Sequence, residues 1–291
     1  MASLVPAVLR VAGVVLTIVS LPALARSDDN TTIQTACELP NDVAMTEDPS
    51  STLAPDLPIA APSPLDLRVA AGVHWRLETT RGPVHVWVPP NYDPATAATV
   101  VFVHGYNTNV DTMWTGAQLP QQFAQSGINA MFIACDSPYA KLAPMVWPSL
   151  DGLLAAVSAG TGKRMPHGRL VVVGHSGAYR TIVLWLANRA LQTVVLLDGA
   201  YGELDRFAEW VRASRNHRFI NIAYETQNYS NFMHQAMPGT FRVDGLPETD
   251  FDADARAARV LYVRTDVGHW PLVTGGVAIP TALRALGVPP A

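Results

Sequence analysis

The sequence predicts an α/β fold, a mostly parallel sheet of about eight strands with helices on both faces and an antiparallel hairpin at its N-terminal edge. Three observations carry this. Short β-branched apolar runs alternate with helical stretches along most of the chain. The runs Thr99–Val103, Ala130–Ala134, Leu170–Val173, Val194–Leu197, Phe219–Ala223 and Val260–Val263 are apolar nearly throughout rather than alternating, as strands buried on both faces are. One of them passes directly into Gly174-His175-Ser176-Gly177-Ala178 and then a helical stretch. Two earlier runs, Val69–Glu78 and Pro83–Val88, are joined through Thr80-Arg81-Gly82 and read as the hairpin. Helices are expected near Gln118–Gln125, Ser149–Ser158, Ala178–Ala190, Leu204–Ala213 and Pro280–Leu286.

The flanks differ from this body. Residues 1–25 combine Arg10, an apolar run from Val11 to Leu21 and the small-residue site Ala23-Leu24-Ala25, the pattern of a secretory signal peptide, so the mature chain is expected to be secreted or periplasmic without a stable membrane span. Residues 26–65 are acidic and rich in Pro, Ser and Thr, with no helical or strand period, and are expected to be disordered or loosely packed. Residues 66–291 remain as one folded domain. Hydrophobic residues make up 49% and charged residues 15% of the chain, which places that domain among globular proteins. The formal net charge of −4 gives no reason to expect nucleic acid or an anionic membrane as partner. Lysine occurs only at Lys141 and Lys163, and arginine carries the other positive charge. Cys37 and Cys135 can pair after export or stay free; two cysteines make no metal site, and no cofactor is expected.

The chemistry centres on Ser176. A strand that turns sharply into a helix through Gly-x-Ser-x-small exposes the serine on a strained elbow, and the small neighbours at Gly174 and Ala178 are what the turn requires. Ala178 stands where a second glycine is usual. A serine hydroxyl needs a general base and an acid to orient that base. His269, in Gly268-His269-Trp270 just after the last strand, is the candidate base. His74 and His85 fall in the hairpin, His167 and His217 precede strands, His175 points down its strand, and His234 sits in an irregular loop as the weaker competitor. Asp198 and Glu225 end consecutive strands and both qualify as the acid; Asp198 is favoured because the glycines around it leave a carboxylate room to approach an imidazole. Backbone N–H groups of Gly177 and, after the strand ending in Val103-His104-Gly105, of Tyr106 are the expected oxyanion donors.

With these motifs, HGY after the third strand, GHSGA after the fifth and GHW after the eighth, the stretch from Val69 to Leu286 resembles the α/β-hydrolase superfamily. The resemblance implies a hydrolase in which Ser176 attacks an acyl carbonyl and His269 relays the proton, foremost an exported carboxylic ester hydrolase acting on a small-molecule or acyl-ester substrate. A serine peptidase, amidase or acyltransferase would use the same residues, and a non-catalytic binding protein of the same fold is the reading from another class. About twenty residues separate the sixth and seventh strands, too few for a large helical lid. The insertion from Gln227 to Arg256, with Tyr229, Phe232, Met233, Met237 and Phe241, either walls an acyl site or buries itself against the sheet; Trp114, Tyr139 and Trp147 are expected in loops near the elbow.

Overall fold

The computed structural model describes residues 61–291; the expected signal peptide, most of the 26–65 segment and any bond from Cys37 to Cys135 lie outside the described residues. The chain enters through α1 (Pro64–Ala71), which Ser63 and Asp66 start with a capping box and Pro64 favours at its first turn. The expected strand from Val69 is therefore corrected: Val69 belongs to this helix, and β1 occupies only Val73–Leu77. Then follow β2 (Val84–Val88), β3 (Ala98–Val103), α2 (Val110–Gly116), α3 (Leu119–Ser126), β4 (Ala130–Cys135), α4 (Leu150–Thr161), β5 (Leu170–His175) and α5 (Tyr179–Trp185). The second half continues as β6 (Leu191–Leu197), α6 (Leu204–Ala213), β7 (Arg218–Ala223), α7 (Gln227–Gln235), β8 (Thr240–Asp244), α8 (Ala253–Ala257), β9 (Val260–Arg264), α9 (Pro271–Thr274) and α10 (Ala278–Arg284).

The strands form one sheet in the order β1-β2-β4-β3-β5-β6-β7-β9-β8. β2 pairs antiparallel with β1 and β4, and every other neighbour is parallel. Among the described residues nine strands rather than eight are present, because Thr240–Asp244 adds an edge strand beside β9. This is the α/β-hydrolase architecture that the motifs implied. Alternate residues of the central strands feed two cores: Val100, Phe102, Val171 and Val173 face one helix layer, and Val101, Val103 and Val172 face the other. β4 and β5 flank β3 on opposite sides, so the chain reverses its winding there, and the crevice beyond the carboxyl ends of β3 and β5 is where such sheets place their sites.

The insertion after β7 is partly helical. His234, expected in an irregular loop, lies on α7 and is buried. Its Nε2 accepts from Asn221 Nδ2 (3.2 Å), its Nδ1 faces Thr240 Oγ1 (3.3 Å), and its ring stacks on Tyr262 with centroids 4.4 Å apart. A neutral tautomer satisfies both nitrogens, so His234 is structural. Burial, then Arg242, pushes its imidazole down to about 3, and burial with neighbouring His269 does the same to His175. In the unfolded chain each protonates near 6.5. The fold's stability from this source is full above that pH and is lost as pH falls toward 3, because the unfolded state binds the extra protons. At pH 5 the loss is expected to be about 2 kcal/mol per imidazole. Urea unfolding at neutral pH and at pH 5 checks this, and the drop should be smaller in His234→Gln than in the native chain.

Candidate active site

β5 ends at His175, and Ser176 follows with φ 53°, in the left-handed region where an L side chain is strained. Residues Ser176–Ala178 make a 3₁₀ turn that leads into α5. The small-residue requirement has a direct cause: a Cβ on Gly174 would collide with Ile182 Cδ1 and lie 3.0 Å from the Ala178 methyl. Ala178 fills the space that Gly174 leaves, so its extra methyl is accommodated.

The loop after β3 lies across this elbow. Val103 is in register with Gly174, and a Cβ on Gly105 would stand 2.7 Å from Ser176 Cβ and 3.1 Å from the His175 carbonyl oxygen. Buried His104 fixes the loop. Ser137 N–H donates to its Nε2 (2.9 Å), so the proton sits on Nδ1, which donates to the Gly105 carbonyl (2.6 Å). A trans peptide sets N–H opposite C=O, so the Tyr106 N–H of that same peptide points away from His104. It donates to no partner among the described residues. Gly177, whose Cβ would collide with the Tyr106 ring, opens the turn at the helix start, where backbone N–H groups lack intrahelical acceptors.

Asp198, at the end of β6, takes φ 47°, is fully buried, and accepts five hydrogen bonds. Oδ1 receives Tyr224 N–H (3.0 Å), Thr226 N–H (2.9 Å) and the Thr226 hydroxyl (2.8 Å); Oδ2 receives Glu225 N–H (3.1 Å) and His269 Nδ1 (2.6 Å). Burial alone would raise its carboxyl, but the bonds from His269 and Thr226 outweigh burial and hold it below the usual carboxylate range. Glu225 is half-exposed, with Oε2 3.9 Å from His269 Nδ1, and accepts the Tyr201 hydroxyl (2.8 Å). That hydroxyl lies 3.5 Å from His269 Nδ1. Between the two candidate acids, the short bond goes to Asp198. Since Nδ1 is committed there, Nε2 of His269 is the nitrogen left to exchange a proton.

His175 departs from its expected direction. Instead of pointing down the strand, its Nε2 donates to the His269 carbonyl (3.1 Å), and its ring lies 4.4 Å from the His269 ring and 5.4 Å from that of Trp270. The residue before the elbow thus supports the loop that carries the imidazole. No hydrogen bond joins Ser176 Oγ to His269 among the described residues, and His175 is what connects their segments. Trp114 is not near the elbow: it lies on α2, stacked on His85 and His74 with centroids 4.5 and 4.8 Å away. Trp147 is buried, and its carbonyl accepts Trp185 Nε1 (2.9 Å). Only Tyr139 adjoins the oxyanion loop, through its carbonyl to Asn107 N–H (2.8 Å). In the insertion, Met233 and Met237 are buried while Tyr229 and Phe232 are exposed, and the Tyr229 ring stands 6.4 Å from that of Tyr201. Among the described residues no helix is long and apolar enough to cross a membrane.

Asp198, Glu225 and His269 also have ligand atoms within 4.8 Å of one another, the spacing of a metal site. The five donors converging on Asp198 already occupy its lone pairs, so the trio suits a proton better than a metal ion.

No family model and no curated protein matches the chain. Among solved structures it is similar to the feruloyl esterase module from Clostridium thermocellum, at 16% identity over 78% of this chain and 91% of that one, with a TM-score of 0.49. An esterase from Pyrobaculum calidifontis aligns at 13% identity over 77% and 91%, TM-score 0.47. An S-formylglutathione hydrolase from Agrobacterium tumefaciens aligns at 10% over 75% and 94%, TM-score 0.47.

Proposed function

We propose that this chain is an exported serine hydrolase that cleaves carboxylic esters through an acyl-enzyme intermediate. The observation that carries the reading is the 2.6 Å contact from His269 Nδ1 to fully buried Asp198, next to a serine held at positive φ on a strand-to-helix turn. In this reading Ser176 Oγ attacks the acyl carbon while His269 Nε2 takes its proton, the contact forming when substrate orders the site. Asp198 stays ionised, holds the imidazole in the required tautomer and stabilises the imidazolium. The tetrahedral oxygen accepts from the N–H groups of Gly177 and Tyr106. The imidazolium then protonates the leaving alkoxide, and a water activated by the same Nε2 releases the acid. Exposed Trp270, Tyr224 and Tyr229 lie close in sequence or space to His269 and Glu225 and offer aromatic surface to an uncharged acyl or aryl group. Export rests on the pattern in residues 1–25.

A fluorophosphonate probe followed by peptide mapping tests the mechanism. Label is expected on the peptide that contains Ser176, with loss of p-nitrophenyl acetate hydrolysis in step with labelling. Turnover that persists in fully labelled protein would remove the serine mechanism. Label with no ester turnover would favour an amide or acyl-transfer substrate on the same residues.

The oxyanion assignment has its own test in Gly105→Ala. The added methyl meets Ser176 Cβ and the His175 carbonyl, both parts of the elbow, so the loop must lift and carry the Tyr106 N–H with it. The expected result is a fall in kcat of about 10²–10³-fold with KM changed far less.

A further inference from the structure

A cleft of about 1000 Å³ opens at the end of the sheet opposite the Ser176 elbow, where β6 and β7 begin. Arg169, Arg215, Arg218, Arg256, Arg259 and Arg284 line it, and among the described residues no acidic side chain does. This concentration of positive charge stands on a chain whose formal net charge is −4.

A structural role accounts for part of the cluster. In an α/β fold helices end where strands begin, and their last carbonyls need donors. Arg169 donates to the Leu286 carbonyl (2.6 Å), Arg218 to those of Ala285 and Arg256 (2.7 Å each), and Arg259 to that of Val211 (2.9 Å). These partners are neutral, so they use one or two of the five N–H groups of each guanidinium and cancel none of its charge. Among the described residues, Arg284 alone of the six meets a carboxylate, Asp250 at 2.6 Å. The guanidinium groups of Arg215 and Arg256 donate to nothing among the described residues. Arg218 Nε is buried without a partner, and burial together with Arg169 brings that guanidinium down to about 10, the mark of cations crowded without a counter-charge.

We propose that this cleft binds a small molecule bearing two or more phosphate-type groups. Planar guanidinium forks match tetrahedral oxyanions in paired hydrogen bonds. Several forks around a space far larger than one such anion select a ligand that carries more than one. The cleft lies at the opposite end of the strands from Ser176 and His269, so binding there is separate from ester cleavage.

Isothermal titration of the full chain with inorganic tripolyphosphate, in a phosphate-free buffer of fixed ionic strength, is the test, with sulfate as the single-anion control. Saturable one-to-one binding is expected, tighter than that of sulfate and weakened by added salt. The double variant Arg215→Ala/Arg256→Ala removes two side chains that hold no described partner, so it should keep native circular dichroism and p-nitrophenyl acetate turnover. It should bind tripolyphosphate at least about tenfold more weakly. Absent binding, equal affinity for sulfate, or unchanged affinity in the double variant would each overturn the proposal. In a folded double variant, a loss of ester turnover that matches the loss of binding would overturn the separation of the two sites.

Discussion

Ser176→Ala is expected to lower kcat for p-nitrophenyl butyrate by about 10⁶-fold while leaving unfolding by urea nearly unchanged. The variant removes only a hydroxyl, from a half-exposed position whose backbone already stands at φ 53°. Alanine tolerates that conformation no worse than serine does, and the packing of Gly174 against Ile182 beneath it is untouched. What disappears is the atom that must bond to the acyl carbon. Any residual rate should come from the two backbone donors and from binding, which in acyl-transfer enzymes leave about 10³–10⁴-fold over water. A variant that keeps more than a few percent of native turnover would show that the nucleophile lies elsewhere.

Asp198→Asn is expected to cost about 10⁴-fold in kcat, and Glu225→Gln less than about tenfold. An asparagine here cannot accept from both sides: if its oxygen keeps the bonds from Tyr224 and Thr226, its amide group faces His269 Nδ1 and Glu225 N–H with protons of its own. The imidazole then loses the partner that fixes its tautomer. A buried donor is also left unmatched, which should lower stability by about 1–3 kcal/mol. Glu225, half-exposed and 3.9 Å from the ring, is screened by water and held by Tyr201 rather than by His269. Stopped-flow acylation and steady-state kcat on both variants distinguish the two carboxylates, and the opposite ranking would exchange their roles.

Much of this arrangement was legible before the fold was known, and the reasons are specific. Strands β3 to β7 and β9 are buried on both faces, so continuous apolar runs announced them. β8 escaped because it is a short polar-flanked edge strand whose exposed residues, Arg242 and Asp244, interrupt the pattern. α7 escaped because the face it buries, Ser230, Met233 and His234, is mostly polar and satisfied by side chains from β7 and β8. α1 was hidden by β-branched Val69, although Ser63-Pro64 and Asp66 carried its start signal. Ser176 and His269 were readable from their positions at strand ends. The choice between Asp198 and Glu225 was not, since it depends on three N–H groups from the segment after β7 closing around one carboxylate. The direction of His175 was unreadable because strand alternation stops at the last residue before the elbow.

The far edge of the sheet has a consequence for solutions of this protein at high concentration. Among the described residues β8 is the outermost strand, and one row of its peptide groups lacks a neighbouring strand. A second molecule adding there would have to bring its backbone alongside exposed Arg242 and Asp244 and strip both charges of water. Those two side chains therefore act as a guard against ribbon-like aggregation by strand addition, at the cost of the continuous apolar run that announced the inner strands.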